Sequence, residues 1–183
     1  MTHEIIISGF GGQGVMALGK TLAEAGMKEG LSVSWLPSYG PEMRGGTANC
    51  SVVLSEEEII SPMVQSPTEL IAMNKPSLIK FEPLMTPGGT FLVNSSIIEI
   101  KAARTDISAY YIPCQEIADE LGNRKTANMV MLGAYIEATK LLKFSTIQEM
   151  LAHLFTGPKA ALVELNVEAL RRGANCVSAE AKK

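Results

Sequence analysis

Short apolar runs alternate along this chain with stretches whose apolar residues recur every three or four positions. The runs Glu4–Ser8, Ser32–Leu36, Thr47–Leu54, Leu70–Met73, Thr90–Val93 and Ser108–Ile112 predict six strands. Most are apolar throughout, as in strands covered on both faces. Thr47–Leu54 differs: Ala48, Cys50, Val52 and Leu54 alternate with Thr47, Asn49 and Ser51, the pattern of a half-exposed strand. Glu56-Glu57-Glu58 then turns the chain, and Ile59-Ile60 is expected to pair back as a hairpin.

The helical stretches have their own punctuation. The first is expected from about Gln13 to Glu29, with Val15, Leu18, Leu22, Ala25 and Gly26 on its buried stripe and Gly30 as its stop. Thr126–Leu142 is apolar nearly all round, which predicts a buried helix. Ser145-Thr146-Ile147-Gln148 reads as a capping box opening another. After Gly157-Pro158 a last helix carries Leu162, Leu165 and Leu170. Strands alternating with helices predict an α/β fold, a three-layer α/β/α arrangement of a mainly parallel, mixed sheet with a helical C-terminal third. No linker interrupts residues 1–183, so one domain is expected.

Composition narrows the function. Apolar residues make up 46% and charged residues 19%, with a net charge of −3 and no basic stripe, which argues against nucleic acid. No apolar run approaches bilayer-spanning length, and Met1-Thr2-His3-Glu4 lacks a signal peptide's basic start, so a cytoplasmic location is expected. Cys50, Cys114 and Cys176 form no Cys-x-x-Cys pair, and His3 and His153 are isolated, so no metal ligand set is legible. The cysteines are expected to be small core fillers.

Two glycine-marked loops carry the candidate chemistry. Gly9-Phe10-Gly11-Gly12-Gln13-Gly14 follows the first strand, and Pro37-Ser38-Tyr39-Gly40-Pro41-Glu42-Met43-Arg44-Gly45-Gly46 follows the second. A strand running through glycines into a helix leaves backbone N–H groups free for an anion at the sheet edge. Arg44 adds a planar fork suited to phosphate or carboxylate. The second loop also reads as an interface element, with Tyr39 and Arg44 of the type that anchors contacts. Both roles stay open.

Two familiar strings fail on context. The first loop fits G-x-G-x-x-G, but the second strand ends Trp35-Leu36-Pro37-Ser38 without the acid that would hold a dinucleotide's ribose, and Glu42 lies well into the loop. Gly14-Val15-Met16-Ala17-Leu18-Gly19-Lys20-Thr21 matches a P-loop letter for letter. Its residues are nevertheless helix-forming, and the chain's two aspartates, Asp106 and Asp119, end none of the expected strands. Lys20 and Thr21 are expected to face outward from a helix. Asn128, set among apolar residues, is expected to be a hydrogen-bonded structural side chain.

Gly11-Gly12-Gln13-Gly14 together with Pro37–Asn49 resembles the gamma subunit of the 2-oxoacid:ferredoxin (acceptor) oxidoreductases, closest to the 2-oxoglutarate or branched-chain 2-oxoacid type. The likeness extends to Glu58-Ile59-Ile60-Ser61-Pro62 and Ala127–Gly133. It implies an assembly that turns 2-oxoacid and coenzyme A into acyl-CoA, carbon dioxide and reduced ferredoxin. Thiamine diphosphate and iron–sulfur clusters are then expected on partner subunits, since this chain has no Gly-Asp-Gly signature and no cluster cysteines. The resemblance implies that this chain docks against those subunits and helps position coenzyme A. Expected ligand residues are Gly9, Gly11, Gly12, Gln13, Gly14, Ser38 and Arg44. Expected interface residues are Tyr39, Pro41, Glu42, Met43, Gly45, Gly46 and Asn49. A stand-alone nucleotide-binding regulator and a purely structural subunit remain alternatives.

Overall fold

The computed structural model describes residues 1–38 and 48–180. Its sheet has six strands: β1 (Thr2–Gly9), β2 (Ser32–Ser38), β3 (Ala48–Ser55), β4 (Glu69–Ala72), β5 (Thr90–Asn94) and β6 (Ser108–Ile112). Their order is β2-β3-β1-β4-β5-β6. β1, β4, β5 and β6 are parallel neighbours, whereas β3 runs antiparallel to both β1 and β2. The expected mixed, mainly parallel sheet is therefore present, and every expected strand lies within a residue or two of its place.

Helices α1 (Val15–Lys28), α2 (Lys75–Phe81), α3 (Cys114–Glu120), α4 (Ala127–Thr139), α5 (Phe144–Leu154) and α6 (Ala161–Glu180) cover the sheet unequally. Ile5, Ile7, Cys50, Val52, Leu54, Ile71 and Leu92 meet α1, α3, α4 and α6 on one face. The opposite face buries Ile6, Leu70, Ala72, Phe91 and Val93 beneath α2 and neighbouring coil. The outer layer on that second face is thus thin.

α1 ends as expected: Gly30 takes φ +85, and Leu31 N–H donates to Gly26 O at 3.0 Å, closing a left-handed cap. Its start shifts inward, because Gln13 and Gly14 belong to the preceding turn and Val15 is the first helical residue. α4 is buried on nearly every side, as its sequence requires. α6 runs parallel to it at very close range. A Cβ on Gly133 would lie 1.9 Å from Leu170 O, and one on Gly173 would lie 1.8 Å from Val130 O. Only hydrogen side chains allow that approach.

Two local expectations are overturned. Ser145 sits inside α5 rather than capping it; Lys143 occupies the N-cap, and its N–H is taken by Glu29 Oε1 at 2.8 Å. Glu29, just past the end of α1, therefore accepts the N-cap N–H, the role a capping box gives its glutamine, and no side chain of the N-cap residue bonds the first turn. Ile59-Ile60 forms no hairpin, and Ile60 is 99% exposed. β3 already has β1 and β2 as partners, so no edge is left for a returning strand. Among the described residues, no helix is long and apolar enough to cross a membrane.

Candidate functional site at the carboxyl edge of the sheet

The sheet register brings the first glycine loop beside Ser38 and Ala48, the described residues that flank the second glycine-marked segment. Gly9, at the end of β1, pairs with Ala48, the first residue of β3. Asn49 pairs with Ser8 on one side and Ser38 on the other. β2 therefore ends at Ser38, and β3 starts at Ala48, at the same edge as the first loop. Tyr39, Pro41, Glu42, Met43, Arg44, Gly45 and Gly46 lie outside the described residues. Ser38 is exposed and Asn49 is half-buried, on adjacent strands and the same face.

The first loop is held from within. Phe10 N–H donates to Gln13 Oε1 at 2.6 Å, while Gln13 Nε2 donates to Met73 O at 3.0 Å. Gln13 N–H closes the turn on Phe10 O at 3.2 Å. The side chain of Gln13 thus ties the loop to the end of β4, which makes it a brace of the site. Gly9 is buried, and a Cβ there would meet Gln13 Oε1 at 2.6 Å and Met73 Cβ at 2.7 Å. Gly11 and Gly12 face outward, with open space where a side chain would be.

Gly14 is the N-cap of α1, at φ +75, and supplies no side-chain cap. Among the described residues, the N–H groups of Gly11, Gly12 and Gly14 have no acceptor. Free amides beside a helix's positive end favour an anion. α4 aims its own N-terminus at the same place, for Asn128 lies against Gly14. The Asn128 carboxamide has no hydrogen-bond partner among the described residues, so the structural bond expected for it is missing there. Its place at the loop follows from tertiary packing; the one sequence signal was a lone amide in an apolar helix.

The P-loop lookalike is ordinary helix. Thr21 Oγ1 donates to Ala17 O at 2.8 Å, and the exposed Lys20 reaches Glu24 at 3.6 Å along α1. Gly19 is buried, and a Cβ there would come within 2.5 Å of Cys50 Sγ. Cys50 and Cys114 are fully buried core fillers, as expected, while Cys176 is partly exposed. Burial pushes the Cys50 thiol up to about 12, against a smaller opposing pull from Trp35. Among the described residues, no cluster of three or more histidine, cysteine or acidic side chains could hold a metal.

Fold and loop define an α/β module with an amide-lined edge fit for an anionic ligand. The chain belongs to the pyruvate ferredoxin/flavodoxin oxidoreductase family, whose model matches residues 4–176. It is 40% identical over 169 residues to ketoisovalerate oxidoreductase subunit VorA of Methanothermobacter thermautotrophicus, covering 92% of this chain and 35% of that one. It is 40% identical over 156 residues to 2-oxoglutarate synthase subunit KorC of Methanothermobacter marburgensis, covering 81% of this chain and 84% of that one. Among solved structures it resembles the 2-oxoglutarate:ferredoxin oxidoreductase of Magnetococcus marinus with 2-oxoglutarate, coenzyme A and succinyl-CoA bound. That likeness has a TM-score of 0.88 at 26% identity, over 97% of this chain and 31% of the other. The chain thus spans about a third of the VorA relative and most of the KorC relative.

Proposed function

We propose that this chain is the gamma-type component of a 2-oxoacid:ferredoxin oxidoreductase, positioning coenzyme A and docking against the subunits that carry thiamine diphosphate and iron–sulfur clusters. The observation that carries the reading is the set of N–H groups at Gly11, Gly12 and Gly14 that have no acceptor among the described residues, set on the N-terminus of α1. Coenzyme A is rich in phosphate, and such an edge suits phosphate without a metal. Ser38 and Asn49 flank it from β2 and β3, and Arg44 belongs to the segment that joins those strands.

The electron and carbanion chemistry falls to the partners, because this sequence has no thiamine signature and no cluster cysteines. Its own part is to hold the thiol carrier while the partners form the acyl group. The relatives point to 2-oxoglutarate or a branched-chain 2-oxoacid as substrate class.

Thermal-shift titration of the purified chain with coenzyme A, NAD and ATP tests the ligand. A ligand that binds only the folded state raises the melting temperature as its concentration passes Kd. A shift with coenzyme A, weaker with dephospho-coenzyme A, is expected. A larger shift with NAD or ATP would favour a nucleotide-binding regulator, and no shift with any of the three a purely structural subunit.

A further inference from the structure

The second sheet face changes character along its width. Over β4 and β5 it is sealed by α2 and by Met85 and Ile98. Over β2 and β3 no helix of the described residues lies on it, and a cleft of about 390 Å³ opens between the strands and the segment after β3. Leu36, Ser38, Asn49 and Ser51 form one wall of it, and Met63 and Val64 the other. Leu36 is 45% exposed, Met63 62% and Ile60 99%.

The side chains that line this cleft are uncharged, while Glu56-Glu57-Glu58 at the head of the segment after β3 stand outside its lining. Residues 31–38, 48–55 and 59–68 contain no aspartate, glutamate, lysine or arginine, in a chain that is 19% charged. A surface left to water ordinarily carries charges at about the chain's own frequency, whereas the buried centre of a protein contact is depleted of them. Neutral serines and asparagine around the exposed Leu36 and Met63 match such a centre, and the exposed Ile60 precedes Met63 by three residues. In VorA and in the Magnetococcus enzyme, the matching region is about a third of a longer chain. There the module is covalently joined to further protein.

We infer that the β2–β3 half of the second sheet face, with Ile60 and Met63 as its projecting anchors, seats the companion part of the oxidoreductase through an uncharged, apolar-centred contact. The inference rests on the docking half of the proposed function and is independent of coenzyme A. Leu36 and the serines supply the flat floor, while Ile60 and Met63 stand proud and enter pockets on the companion. The seat begins at Ser38 and Asn49, so contact there also covers the margin of the ligand edge.

The test is co-expression of the full chain with its companion subunits, followed by affinity capture on the companion and native mass measurement. Ile60→Asp and Met63→Lys place charge on side chains that are already exposed, so melting temperature and the coenzyme A thermal shift of the isolated chain should stay at wild-type values. Association should weaken at least about tenfold for each and fail for the pair. Leu154→Asp, on an exposed apolar residue of α5 on the other side of the molecule, should assemble normally. Wild-type assembly of the double variant would overturn the inference, as would equal loss with Leu154→Asp. A self-association of the isolated chain that the double variant abolishes, with companion assembly intact, would assign the face to a second copy and overturn it too. Loss of the coenzyme A shift with assembly intact would instead count against the ligand half of the proposed function alone.

Discussion

Asn128 presses on Gly14 so closely that a methyl group on the glycine would sit 2.6 Å from the asparagine Nδ2. This contact joins the start of α4 to the start of α1 beside the first glycine loop. Gly14→Ala is expected to destabilise the chain by about 1–2 kcal/mol from its left-handed backbone alone, with the clash added. Asn128→Ala on that background should return the clash component. Urea denaturation of the two single variants and the double variant measures the coupling, expected at about 0.5–3 kcal/mol. Strict additivity would mean the two residues do not touch.

Lys20→Ala bears on the lookalike phosphate loop. Lys20 is exposed on α1 and its partner Glu24 lies one turn on, a pair worth about 0.3–0.5 kcal/mol. Stability and reconstituted activity should stay near wild type. A collapse of activity with an unchanged melting curve would bring back an ATP site.

Arg44→Lys keeps the charge and removes the fork. The loss of one charge-assisted contact should cost about 1.5–3 kcal/mol, or roughly ten- to a hundredfold, in coenzyme A use or in assembly. Steady-state kinetics against coenzyme A, with size-exclusion chromatography alongside, gives both numbers. Arg44 is the sole arginine in the first hundred residues, in a stretch of sequence rich in glycine and proline.

Cys50 gives a pH dependence. Its folded value, about 12, lies above the ordinary value of 9.0, because burial disfavours the thiolate. The folded state therefore holds the proton more tightly than the unfolded chain does. That contribution to stability is whole below pH 9 and is lost as pH rises towards 12. Wild type should lose stability between pH 9 and 11 more steeply than Cys50→Ala in chemical denaturation. At pH 8.5 iodoacetamide should label Cys176 well before Cys50 or Cys114, read by peptide mass.

The strands were legible because their apolar content is dictated by the sheet itself, and the first glycine loop because Gly12 and Gly14 take positive φ. α2 and α3 were not, since seven residues give barely two turns of periodicity. The direction of β3 leaves no local mark, though the polar alternation of Asn49 and Ser51 did foreshadow its uncovered side. The start of α5 was misplaced because its N-cap is Lys143, whose N–H is held by the distant carboxylate of Glu29, a contact the local Ser145-Thr146-Ile147-Gln148 pattern does not register. Contacts such as Asn128 with Gly14 belong to the packing of helices far apart in sequence, which no local pattern encodes.

The glycine-lined crossing of α4 and α6 has a consequence for tethering. Because the two helices are parallel, Ser178 near the end of α6 meets Glu137 near the end of α4, on the side away from Asn128 and the first glycine loop. β1 also starts at that far edge, and its eight residues span roughly 26 Å before reaching the glycines. Extra protein can therefore be attached at either Thr2 or the end of α6 without crossing the entrance that coenzyme A would use. One module can thus serve as a separate polypeptide in one enzyme and as a segment of a larger one in another.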